Sequence, residues 1–182
     1  MTRATLTLLR HAKSSWKNQH QSDHERPLNN RGNRDAPDMA ARLVQRDSIP
    51  SLILCSSAQR TRDTAAHLLE VFGEPSPDIH YVDALYLASP GTMLELLEQV
   101  ANNIDHVMVI AHNPGIEDLS AELQGGLPDI MPTAAIRQFS CHSINGLRQQ
   151  LRASGKQDHE ASKDNAQAIE LVYTDYPKST AT

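Results

Sequence analysis

The stretch from Leu6 to Trp16, LTLLRHAKSSW, limits the fold more than any other: an apolar run of strand length hands over at once to an arginine and a histidine. A run of that kind reads as a buried strand. Its C-terminal tip then delivers Arg10 and His11 to a cleft, the usual ligand position in α/β sheets.

Two further apolar runs of strand length follow. Leu52 to Cys55 is a continuous apolar strand that fits a parallel sheet covered on both faces, and it ends in Ser56-Ser57. Ala58 to Phe72 then reads as a helix with Ala65, Leu68, Leu69 and Phe72 inward. His106 to Ala111 is a third strand, delivering His112 ahead of Asn113-Pro114-Gly115 and a helix from Ile116 to Leu123. In a parallel sheet all three strand ends lie on one edge.

The remaining segments fill in around these. Lys17 to Glu25 is polar and reads as loop. Behind Asn29-Asn30-Arg31-Gly32, the residues Ala36, Met39, Ala40, Leu43 and Val44 recur at helical spacing, with Asn29 or Asn30 as N-cap. A short strand is expected at Ile79 to Val82, and Pro90 opens a helix with Met93, Leu94, Leu97 and Val100 as its apolar stripe. Ala134 to Cys141 and Ala168 to Tyr173 read as two more strands. Between them Arg152 to Gln167 is polar without periodicity and reads as a mobile loop. With no internal repeat or composition break, residues 1–182 are expected to form a single domain.

Charge narrows the partners. Seventeen basic against 22 acidic residues give a net charge of −5, so no global basic field is present to hold nucleic acid or an anionic membrane surface. An anion must be bound by a local cluster. The N-terminal apolar stretch is too short and too interrupted for a signal core, which points to a cytoplasmic protein. Cys55 and Cys141 each end an apolar run and lack metal-type spacing, so both are expected to be buried free thiols.

The candidates gathered at the sheet edge are Arg10, His11, His112 and one of Arg60 and Arg62, which cannot face the same way from one helix. Arg26 and Arg31 either face the same cleft or are surface charges flanking a helix start. Guanidiniums match the oxygens of a tetrahedral phosphoryl group, and an imidazole can attack phosphorus to split one displacement into two. No metal and no cofactor are needed for this. Neighbouring guanidiniums also disfavour a cation between the histidines.

The residues Leu9 to Ser14, with Arg10-His11-Ala12, resemble the Arg-His-Gly signature of the histidine phosphatase superfamily, alanine standing in the glycine place. Ser57 to Ala65 resembles that family's second motif, which selects Arg60 over Arg62. Val109 to Gly115 resembles the third motif in the form typical of SixA-type phosphohistidine phosphatases, as do Arg26 to Gly32 and Met131 to Ala135. The resemblance implies an α/β fold, a three-layer sandwich with a mostly parallel central sheet, phosphoglycerate-mutase-like. It implies that His11 is the nucleophile and that Arg10, Arg60 and His112 grip the phosphoryl oxygens; Ser14, Arg26 and Arg31 are expected as further substrate-binding residues. The implied partner is a protein bearing phosphohistidine, a phosphorelay domain or a phosphocarrier.

One departure matters. The glutamate with which mutase and acid-phosphatase members protonate an alkoxide falls at Leu87 here. Its absence favours a phosphoramidate substrate over a sugar phosphate, with Asp83 the alternative acid. A broad small-molecule phosphomonoesterase and a non-catalytic phosphate-binding module remain the rival readings.

Overall fold

A computed structural model describes residues 3–127, 129–154 and 169–178. The chain runs β1 (Ala4–Arg10), α1 (Asn30–Gln45), β2 (Leu52–Ser56), α2 (Gln59–Phe72), β3 (Asp78–Val82), a 3-10 turn (Asp83–Leu85), α3 (Pro90–Glu98), β4 (His106–Ala111), α4 (Gly115–Gln124), β5 (Ile136–Cys141), α5 (Leu147–Ser154) and β6 (Glu170–Asp175). The six strands form one sheet in the order β3-β2-β4-β1-β5-β6. β3, β2, β4 and β1 pair in parallel, while β5 runs antiparallel to both β1 and β6. The mostly parallel sheet expected from the sequence is present.

The continuous apolar runs are explained by helices on both faces. Leu6 and Leu8 of β1, Leu52 and Leu54 of β2, and Val107 and Val109 of β4 pack beneath α3, α4 and α5. Leu9, Ile53, Cys55, Met108 and Ile110, one position out of phase, pack beneath α1 and α2. Alternation along each strand therefore feeds two cores and produces three layers.

Helix starts follow local chemistry. Asn29 caps α1, its side chain accepting the Gly32 N–H at 2.9 Å, and Ser89 caps α3 ahead of Pro90. Gly32 and Gly115 are set by close approach. An added Cβ at Gly32 would lie 2.3 Å from the Lys13 carbonyl oxygen, and one at Gly115 would lie 1.8 Å from that of Ala88.

One expectation is corrected. Residues 152–154 belong to α5 rather than to a loop, because Leu147 and Leu151, one turn apart, pack on the α3 side of the sheet. Residues 155–167 of the expected loop lie outside the described residues. Both cysteines are free and buried, and burial pushes their thiols up, Cys55 to about 12 and Cys141 to about 11. Among the described residues no helix is long and apolar enough to cross a membrane.

Candidate active site

The adjacent parallel strands β2, β4 and β1 end on one edge of the sheet, and the chain leaves that edge through Ser56, His112 and His11. There the structure brings Arg10, His11, Arg60 and His112 to one pocket of about 250 Å³. The His11 and His112 rings lie 5.1 Å apart between centroids, tilted by 55°. That gap is one a phosphoryl group can bridge.

The protonation of His11 follows from its partners. Its Nδ1 lies 2.7 Å from the Ala12 carbonyl oxygen, which can only accept, so Nδ1 carries the proton. The Nε2 lone pair then faces the pocket, where the Arg60 Nε–H donates to it at 3.3 Å. Burial above all, with the neighbouring charges of His112, Arg60 and Arg10 acting the same way, pulls the His11 pKa down to about 3 against the pull of the Ala12 hydrogen bond. The imidazole is neutral and nucleophilic at physiological pH. Its backbone is fixed too: the His11 N–H donates to Ala111 O at 3.2 Å and the Ala12 N–H to Thr64 Oγ1 at 3.0 Å.

His112 is held from behind by Ser56, whose Oγ lies 2.8 Å from Nε2, while its buried Nδ1 has no partner. Burial first, then Arg60, lowers its pKa to about 3. Arg10 donates from Nη1 to the Met131 carbonyl at 2.7 Å, and its Nε is likewise buried without a partner. Burial lowers the Arg10 pKa, opposed by the charge of Glu117. The Glu117 carboxylate takes the Asn113 side-chain amide at 2.7 Å and the Met131 N–H at 2.8 Å, which fixes the loop that holds Arg10. Ala134, at φ +61°, donates its N–H to the carbonyls of both Arg10 and His11. The Met131 to Ala135 segment is thus the brace of the β1 tip. Two buried, unsatisfied nitrogens facing a pocket of cations and a neutral imidazole suit an oxyanion.

Arg60 rather than Arg62 reaches this pocket. Arg62 turns away, donating to Ser57 O at 2.8 Å and lying 4.6 Å from the Tyr81 ring. The sequence reading missed the carboxylate that orients Arg60. Asp23, inside the polar stretch read as loop, accepts Arg60 Nη2 at 2.9 Å, Tyr86 Oη at 2.8 Å and Arg26 Nη1 at 2.6 Å. Partial burial pushes the Asp23 pKa up, but the hydrogen bonds from Tyr86, Arg26 and Arg60 outweigh it and hold the group at about 2. An aspartate three residues before a suspected arginine was the available signal.

The remaining expected residues divide. Ser14 and Arg26 line the pocket, yet the Arg26 guanidinium is committed to Ser15 O at 3.0 Å, to Asp23 and to Ser14 Oγ. Arg26 therefore staples the loop instead of presenting free donors. Arg31 is not brought to the pocket: it sits on α1 and pairs with Asp35 at 3.0 Å, one turn on. Asp83 is exposed at the start of the 3-10 turn and does not line the pocket, whereas Leu87 does. Among the described residues the carboxylate lining the pocket is Asp23.

Comparison with known proteins gives the same direction. Residues 6–93 match the family described as histidine phosphatase superfamily (branch 1). An uncharacterised chloroplastic protein of Arabidopsis thaliana is 35% identical over 128 residues, 66% of this chain and 59% of that protein, so the match spans less than two thirds of its length. A crystal structure from Agrobacterium tumefaciens, described as a candidate phosphohistidine phosphatase SixA, superposes with a TM-score of 0.76 at 26% identity, covering 97% of this chain and all of that one. A protein histidine phosphatase SixA complexed with tungstate gives a TM-score of 0.68 at 25% identity, over 75% of this chain and 88% of that one.

Proposed function

For a chain that belongs to the histidine phosphatase superfamily, with the phosphoglycerate-mutase-like fold and a SixA-type structure, we propose that it removes the phosphoryl group from phosphohistidine on a protein, without a metal, through a covalent intermediate on His11. The observation that carries this reading is the pairing of a neutral, deprotonated His11 Nε2 with a site carboxylate, Asp23, held as an anion.

His11 Nε2 attacks phosphorus, and the bond between phosphorus and the substrate imidazole breaks. The bond's electron pair leaves with the imidazole, which takes its proton from water. Charge on the phosphoryl oxygens is met by Arg10 Nε–H, Arg60 and a proton on His112 Nδ1, the tautomer in which the Ser56 hydroxyl donates from Oγ to His112 Nε2. Water then attacks phospho-His11, releasing inorganic phosphate and restoring the imidazole. Asp23, ionised down to about pH 2 and bound by three donors, is poorly suited to protonate an alkoxide. An ester of a sugar hydroxyl is therefore a poor substrate, whereas an imidazole leaves without a strong acid.

The test is a panel of substrates on the purified chain: a phosphohistidine peptide, an aryl phosphate and several sugar phosphates. The expected result is a kcat/KM for phosphohistidine at least about 100-fold above that for the sugar esters, the scale of losing one general acid. Comparable turnover of sugar esters would instead favour a broad small-molecule phosphomonoesterase.

A further inference from the structure

Trp16 is the chain's single tryptophan, and it is 71% exposed although it lines the pocket that holds His11 and His112. The ring is nevertheless held in place. The guanidinium carbon of Arg26 sits 3.2 Å from its centroid. Arg26 is itself buried and fixed by Ser14, Ser15 and Asp23. One face of the indole is thus backed by an immobile cation, and the ring stays largely open to water at the mouth of the site. Leu87, also lining the pocket, is 57% exposed and sits at φ +51°, a left-handed conformation that a leucine rarely adopts. Strain that keeps an apolar side chain at a pocket rim is a mark of function. Neither rim residue offers an acceptor for a sugar hydroxyl.

We propose that Trp16, backed by Arg26, is a stacking subsite for the leaving group, one that favours a phosphoryl group carried by a planar ring over one carried by a saturated group. The ring is the imidazole of phosphohistidine or an aryl group. The proposal rests on the phosphoryl pocket assigned above, and it explains the commitment of Arg26: the guanidinium holds the platform instead of the phosphate. Stacking on an aromatic side chain favours any planar ring, because every such ring has a π-face to offer. A preference of about ten-fold, or about 1.4 kcal/mol, is therefore expected.

Two phosphonates of equal charge and similar size, phenylphosphonate and cyclohexylphosphonate, isolate ring planarity. Calorimetric titration of the wild type should give about ten-fold tighter binding of the phenyl compound, at the scale of one stacked ring. The emission of the single tryptophan should change with phenylphosphonate and not with orthovanadate. Trp16→Phe should keep most of the preference, and Trp16→Ala should bring the ratio near one while orthovanadate still binds as in the wild type. A ratio near one in the wild type, a preference that survives Trp16→Ala, or loss of orthovanadate binding in Trp16→Ala would each overturn the proposal.

Kinetics separate the two ring sources. Trp16→Ala should raise KM about ten-fold for phosphohistidine peptide and for phenyl phosphate, with the change in KM rather than kcat. No rise for either also overturns the proposal. Should the wild type cleave phenyl phosphate and leave phosphohistidine peptide intact, the protein-substrate reading falls, and the phosphonate ratio still decides the role of Trp16.

Discussion

His11 and His112 lie so far inside the protein that their titration is displaced, each to about 3, with burial the leading cause. A histidine whose folded pKa lies below its unfolded value stays neutral as pH falls through 6.5 and gains its proton only near the lower value. In an NMR titration, both ring resonances should remain those of neutral imidazole from pH 7.5 to about pH 5. A midpoint near 6.5 for either would contradict the site geometry. Arg60 is the second residue-scale test: Arg60→Ala should lose roughly 3–4 kcal/mol of transition-state stabilisation, as when a site donor is removed, whereas Arg62→Ala should keep most of the activity. Equal losses would mean the wrong arginine was chosen. The convergence of Arg10, His11 and His112 was legible in the sequence because each stands where an apolar run ends, whereas Arg60 was separated from Arg62 only by the family resemblance. Asp23, Tyr86 and Ser56 were not legible, since each meets the site across a long stretch of chain: Asp23 to Arg60 over 37 positions, Tyr86 to Asp23 over 63 and Ser56 to His112 over 56. Arg31 misled because a charge beside a helix start can turn either to the cleft or, as here, along the helix to Asp35.

Placement of these residues is a property of the elements that carry them. The α4 N-terminus can follow His112 so closely only because Gly115 leaves room for the Ala88 carbonyl, and the α1 N-terminus meets Lys13 through Gly32. Gly115→Ala should cost about 1–3 kcal/mol or more, the usual range for forcing atoms into a packed contact. It should also lower activity, because the displaced Ala88 adjoins Leu87 on the pocket rim. A variant with wild-type melting temperature would show that this contact is not tight. Strands β1, β2 and β4 were legible from their continuous apolar runs, which is what burial on two faces requires. The antiparallel direction of β5 and the existence of α5 were not. Direction is set by pairing with β1, and α5 shows only Leu147 and Leu151 as its apolar signal in a polar stretch.

For the molecule as a whole, the buried histidines make stability fall in acid. His11, His106 and His112 are all shifted down, His106 to about 4 by burial. Between those values and 6.5 the unfolded chain binds protons that the folded one refuses, so stability is fully present above about pH 6.5 and declines as pH falls below it. Each histidine contributes at most ~1.4 kcal/mol per pH unit in that window. Asp23 adds a loss in the same direction at lower pH, between its ordinary value and about 2. Thermal unfolding at pH 7, 6 and 5 should show a falling melting temperature, and a flat profile would contradict the buried neutral histidines. In the proposed function these features serve a single act at the sheet edge, the transfer of a phosphoryl group onto His11 Nε2. Rapid acid-free quenching during turnover of a phosphohistidine peptide, followed by mass spectrometry of the intact chain and its fragments, tests that act most directly. The account predicts one phosphoryl group on His11 in the wild type and none in His11→Ala. Turnover with no adduct at any time, or an adduct that persists in His11→Ala, would contradict it.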